Sequence, residues 1–195
     1  MGMDNYTVTV APVGLPVTLP EVKTWCRKTT CDEDDLLLGL LNSAVQKAEL
    51  ITNRVFITRT YEGFVECLNC SKWEKGYFFQ IRRAPLIAVS KIEVMVNDAL
   101  VTIEDTEYNV KQTSGFSRII FEEVNDSPDL VPYPYKITFT AGYGVAADVP
   151  DPIKTAIKMM VSYWRQQRGD CDGEGEIPSP AMGILDEYRI LNTYG

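Results

Sequence analysis

The apolar positions of the chain change their period twice. Between residues 18 and 53 they recur every three or four residues, the spacing of one helix face. In "VTLPEVKTWCRK" Thr18 is placed to cap a helix, Glu21 three residues later completes a capping box, and Pro20 stands in the first turn, where its missing N–H leaves no bond unmade. Leu19, Val22, Trp25 and Cys26 fall on one side of this short helix. After Thr29-Thr30-Cys31 comes "DEDDLLLGLLNSAVQKAELITNR", which predicts a longer helix. Asp32 is its expected cap, Glu33, Asp34 and Asp35 lie at the positive end of its dipole as solvated charges, and Leu37, Leu40, Leu41, Ala44, Ala48 and Ile51 form its apolar stripe.

From 55 to 141 the pattern alternates. "VFITRTYEGFVE", "YFFQIRR", "VSKIEVMVND", "ALVTI", "EYNVKQ", "SRIIFEE" and "YKITFTAG" are short, rich in β-branched and aromatic residues, and separated by Asn, Asp, Gly, Ser or Pro. They predict strands in a mostly antiparallel meander, with hairpin turns at Asn97-Asp98 and Ser114-Gly115 and an irregular loop over 126–134. The residues before Thr18 read as an extended arm.

Helical spacing then returns. In "TFTAGYGVAADVPDPIK" the strand ends at Gly142-Tyr143-Gly144, Asp151 is the expected cap and Pro152 the first helical residue. The glycines are neither a phosphate cradle, which needs further glycines or a Lys-Ser/Thr running straight into a helix, nor a nucleophile elbow, because Tyr143 occupies the serine position. They read as a hinge. In the helix over 151–168, Ile153, Ile157, Met160, Val161 and Trp164 make one stripe, with Trp164 as an anchor against the core. Met159 and Tyr163 widen the stripe enough to serve a second neighbour, such as another subunit. Lys154, Lys158, Arg165 and Arg168 on the remaining face read as solvated charges. A last short helix, "SPAMGILDEYRIL", covers 180–191. Strands framed by helices, with no long linker, give one α+β domain over 1–195: a helical core from the N- and C-terminal helices (18–53, 151–168, 180–191) around a central, mostly antiparallel β portion (55–141).

Composition narrows the chemistry. The 195 residues are 45% hydrophobic and 24% charged, an ordinary globular balance, and the net charge of -8 supplies no reason to grip a nucleic-acid backbone. No apolar run approaches the roughly 18 residues of a membrane span, no signal-like start is present, and Tyr6 breaks the myristoylation pattern that follows Met1-Gly2, so a cytosolic protein is expected. Histidine is absent, which removes the commonest general base and metal ligand. Five cysteines without a secretion signal imply reduced thiols. Cys67 and Cys70 form a lone CxxC that Cys26 and Cys31 complete only with irregular spacing, so packing or exposed turn cysteines are favoured over zinc. "GDCDGEGEI" begins like a calcium loop, with Asp170, Asp172, Glu174, Gly175 and Ile177 in place. Position twelve is Ala181 where a bidentate Glu belongs, and Pro178 and Pro180 disturb the exit. No catalytic, cofactor-binding or metal residue is assigned and no cofactor is expected; the rival reading is a small divalent-metal enzyme using the acidic clusters.

In order and wording the chain resembles the head-tail connector (adaptor) proteins of long-tailed bacteriophages and prophages. The resemblance rests on TLPEVK with the acid cluster and Leu-rich helix behind it, on TAGYG followed by VP and a long helix, and on the closing "DEYR", and it spans nearly the whole sequence. It implies a non-enzymatic ring, dodecameric in the virion, bound beneath the portal protein. DNA passes through such a ring without specific binding, and neck or tail completion proteins dock on it. It also implies assembly in the host cytoplasm and residence in the virion neck. A monomeric tail-associated module is a further alternative. The β portion, the cysteines and the acidic loop depart from the simplest form of the family. Within the closing motif Tyr188 can bury its ring while its hydroxyl finds a partner, and Arg189 can grip a carboxylate. Met159, Tyr163, Trp164, Tyr188 and Arg189 are therefore the candidate interface residues, and the terminal segment is expected to order only on docking.

Overall fold

The computed structural model describes residues 5–65, 69–70, 77–81, 83–112, 115–121, 133–167 and 177–190. The chain divides into two compact units, a β unit of Met1–Ala11 and Thr58–Gly142 and a helical unit of Pro12–Ile57 and Tyr143–Gly195. The expected α+β class is observed, with four α-helices and two antiparallel sheets among the described residues.

In the helical unit α1 spans Leu19–Trp25, α2 Asp34–Thr52, α3 Asp151–Gln167 and α4 Ser179–Tyr188. The capping box of α1 forms as predicted: Thr18 N donates to Glu21 Oε2 at 2.7 Å and Glu21 N donates to Thr18 Oγ1 at 3.4 Å. Two boundaries differ from the sequence reading. α2 is flanked by Glu33, which makes no side-chain cap, so Asp32 is not the N-cap; Asp151 opens α3 from inside the helix. One core collects Val22 of α1, Leu37, Leu41, Ala44, Val45 and Ala48 of α2, Ile153, Ala156, Ile157, Met160 and Val161 of α3, and Ala181 and Leu185 of α4. Trp25, expected on the buried side of α1, is instead 42% exposed. A seven-residue helix buries a narrow stripe, and Val22 with Cys26 and Leu19 already fills it.

In the β unit all seven predicted strands form. β1 is Asn5–Val10, β2 Arg59–Val65, β3 Asn69–Cys70, β4 Tyr77–Ile81, β5 Leu86–Val96, β6 Ala99–Ile103, β7 Tyr108–Gln112, β8 Ser117–Phe121 and β9 Tyr135–Ala141. β1, read as an arm, is paired with β2, and β3 is a short addition. The strands are not a plain meander: the five-stranded sheet runs β1-β2-β9-β5-β6 and the four-stranded sheet β3-β4-β8-β7. β9 alternates strictly, burying Tyr135, Ile137, Phe139 and Ala141, which suits a central strand with one face in a core. Phe139 stacks on Tyr61 at 5.3 Å and takes the edge of Tyr6 at 5.0 Å. The β5–β6 hairpin turns at Asn97 and Asp98, whose φ of 51° and 61° are the paired positive values of a type I′ turn, as that dipeptide predicts. Ser114 and residues 126–132, expected in turns, lie outside the described residues.

Candidate assembly surfaces

The acid cluster at the start of α2 is a clamp inside the helical unit. Glu33 Oε2 accepts from Arg165 Nε at 2.9 Å and lies 2.8 Å from Arg165 Nη2, with Lys28 Nζ 3.4 Å away. The hydrogen bond from Arg165 holds the Glu33 carboxyl below its ordinary range. Asp34 pairs with Lys23 at 2.7 Å, joining the start of α2 to α1. Two of the four acids and one of the α3 cations thus hold elements together, where the sequence alone suggested solvated charge. The partner lies 132 residues away in the chain, so no local pattern marks it. Lys154 reaches Asp151 at 3.3 Å, and Lys158 lies 5.3 Å from the Trp25 ring, a cation over an aromatic face. Arg168 lies outside the described residues.

Of the candidate interface residues, Met159, Trp164 and Tyr188 pack on the helical core while staying partly exposed. Tyr163 is also partly exposed. Arg189 is exposed and stands 3.7 Å from Asp186 in the last turn of α4, a loose pair rather than a bidentate grip. The terminal segment is anchored within the chain. Ile190 N donates to Thr52 O at 3.0 Å, Asn53 Nδ2 to Ile190 O at 3.0 Å, and Arg54 Nε to Tyr188 O at 2.7 Å. With Ala181 and Leu185 fully buried, α4 is core, and the expectation that it orders only on docking is corrected. Two of these bonds satisfy carbonyls left open at the ends of α2 and α4, and the backbone turns extended at Arg189.

The TAGYG turn is locally determined. Gly142 and Gly144 have φ of 138° and 139°, which disfavour a side chain, and a Cβ on Gly144 would strike the Asp148 carboxylate. That carboxylate accepts from Val145 N at 2.9 Å, while Tyr143 N donates to Phe56 O at 3.1 Å. Burial raises the Tyr143 phenol, an effect that Arg54 opposes. The motif closes a turn and seats an aromatic ring on the core.

Other exposed apolar side chains escaped the sequence reading. Leu36, Leu38 and Leu50 of α2 are exposed, and for the first two the signal is present: "LLLGLL" holds more leucines than one helix face can bury. Trp25, with Pro20, Glu21, Thr24, Arg27 and Lys158, lines an open depression of about 500 Å³. No group of three or more His, Cys, Asp or Glu is arranged to hold a metal ion among the described residues. Cys26 and Cys31 are free thiols, Cys31 Sγ lying 3.6 Å from Lys23 Nζ. Cys67, the Cys70 side chain and the acidic stretch with Asp170, Asp172 and Glu174 lie outside the described residues. No described helix is long and apolar enough to cross a membrane.

Among solved structures the chain resembles a protein chain in the neck of an empty GTA particle computed with C6 symmetry, at TM-score 0.79. It also resembles one in the virion of a native gene transfer agent (GTA) particle, at 0.74, and one in the neck of a native GTA particle computed with C12 symmetry, at 0.64. Identity is 18% in each case, with 97% of this chain and 97–98% of the other covered, which establishes a shared fold spanning both units. No curated protein matches the chain. The sequence model of head completion proteins matches residues 17–191, which contain all the motifs behind the resemblance to head-tail connectors. The chain belongs to the head completion protein family.

Proposed function

We propose that the chain is a structural subunit of the head-tail junction of a phage-like particle, forming a ring beneath the portal. The family match over 17–191 carries this reading. The fold supports it, because two of the similar chains come from GTA particle necks computed with C6 and C12 symmetry. A dodecamer is the proposed ring. Its acidic subunits, each of net charge -8, suit a channel wall past which DNA slides without sticking. Neck or tail completion proteins dock on the ring, assembly takes place in the host cytoplasm, and no enzymatic step is assigned. Met159, Tyr163, Trp164, Tyr188 and Arg189 are proposed contacts with a ring neighbour, the portal or neck proteins, each offering partly or fully exposed surface on the helical unit.

Native mass spectrometry and electron microscopy of the chain mixed with its portal test the reading. A closed ring stacked coaxially on the portal is expected. A chain that stays monomeric beside the portal overturns the ring and favours a monomeric tail-associated module.

A further inference from the structure

The five-stranded sheet ends in two uncharged edges. β6, "ALVTI", and β1, "NYTVTV", contain no Asp, Glu, Lys, Arg or Pro, the residues that commonly guard an edge against pairing. Neither has a second strand neighbour among the described residues. Both edges also leave the apolar layer unfinished. Val101 lies opposite Val94, which is 1% exposed, yet Val101 itself is 40% exposed. At the other end Val8 lies opposite Tyr61, which is 5% exposed, while Val8 is 42% exposed. The core-side face therefore runs out through both edges, one half-covered valine at each.

Strand direction identifies the complement. β1-β2, β2-β9, β9-β5 and β5-β6 are all antiparallel, so four reversals leave β6 pointing the same way as β1. Rotation about a ring axis changes the direction of a strand little between adjacent copies, and it presents one edge of each copy to the opposite edge of the next. We infer that neighbouring copies join through this sheet, with β6 of one copy laid parallel to β1 of the next, so that Val101 and Val8 finish each other's apolar layer. The occupant of each edge is a second copy of this chain. The inference rests on the ring reading and adds the surface that builds it. Pairing of β6 with itself would need a twofold axis and an antiparallel match, which ends in a dimer.

The test uses Val101→Lys and Val8→Lys in the full-length chain, with circular dichroism as the check on folding and Leu100→Lys as a second β6 variant. Sedimentation and native mass spectrometry follow assembly with the portal ring added as nucleus. Wild type is expected to form rings and each variant alone to remain monomeric. An equimolar mixture of V101K and V8K should give a one-to-one dimer, because only the intact β6 of V8K and the intact β1 of V101K can meet. Folded variants that build rings as well as wild type overturn the edge pairing while leaving the ring intact. V8K forming dimers by itself overturns it in favour of a twofold contact. A wild-type chain that stays monomeric beside the portal removes the ring, and the edge pairing with it.

Discussion

The helical and β units solve the same problem differently. A helix satisfies its backbone internally except at its ends, and in the helical unit some of those ends are closed by distant parts of the same unit: Thr52 O and Tyr188 O are capped across more than 130 residues of sequence. The clamp of Glu33 on Arg165 adds a side-chain bond between the start of α2 and the end of α3. A sheet satisfies its backbone only between strands, so its outermost strands keep a row of donors and acceptors facing outward. The β unit keeps two such rows in its larger sheet, beside half-covered valines. What the helical unit leaves exposed is side chain; what the β unit leaves exposed is side chain and backbone together, a combination that another strand can complete.

The β unit has its own core behind the inner face of β9. Phe139→Ala removes a fully buried ring that packs against both Tyr61 and Tyr6, and should cost about 3–5 kcal/mol in denaturant titration. A cost below about 1 kcal/mol would show the sheet to be held by something other than its inner face. On the helical side, Leu185→Ala should cost about 2–5 kcal/mol, since α4 is core. An unchanged melting temperature would return α4 to the role of a docking segment.

The units should also part company with pH. Glu33 has its carboxyl lowered by the hydrogen bond from Arg165, and Glu21 has its own lowered by the Thr18 hydroxyl. A lowered folded pKa means stability that is present above the ordinary value of 4.5 and lost as pH falls through the lowered one. Glu33→Gln should therefore flatten the acid limb of the stability curve, and an unaltered limb in acid titrations would leave the clamp without energetic weight. In the β unit Tyr108 is raised to about 12 by burial and by its hydrogen bond to Asp105 Oδ1 at 2.7 Å. Its contribution is complete below the ordinary value of 10 and disappears as pH rises through about 12, so Tyr108→Phe should weaken the alkaline dependence followed by fluorescence. At the sheet edge, Val101→Lys should change the stability of the isolated chain by no more than about 0.5 kcal/mol, because the edge is already wet. A large loss by calorimetry would mean that β6 is completed within the chain.

Much of this architecture is legible in the sequence. The Thr18–Glu21 box, the stripe of α3, the alternation of β9 and the Asn97-Asp98 turn are decided by neighbours one to four residues apart, and propensity and periodicity carry that information directly. The family resemblance drew on the same local motifs. The candidate surfaces were less legible. Met159 and Tyr163 could be placed beside the stripe of α3, but Trp25 was assigned to a core that had no room for it, and Tyr188 and Arg189 looked mobile because their anchors lie at Thr52, Asn53 and Arg54.

Residue type and short spacing decide which segments are helix or strand over most of the chain, which hairpin turn joins β5 to β6, and the absence of histidine chemistry, while the starts of α2 and α3 fall one residue or more from the expected caps. Long-range closure alone sets β9 between β2 and β5, makes β1 a strand, answers Glu33 with Arg165, and buries Ala181 and Leu185 of α4 in the core. Each of those pairs groups far apart in sequence. Their free energy comes from burial and from hydrogen bonds that exist only once the chain has closed on itself, and no local pattern encodes which of many equivalent partners will be met.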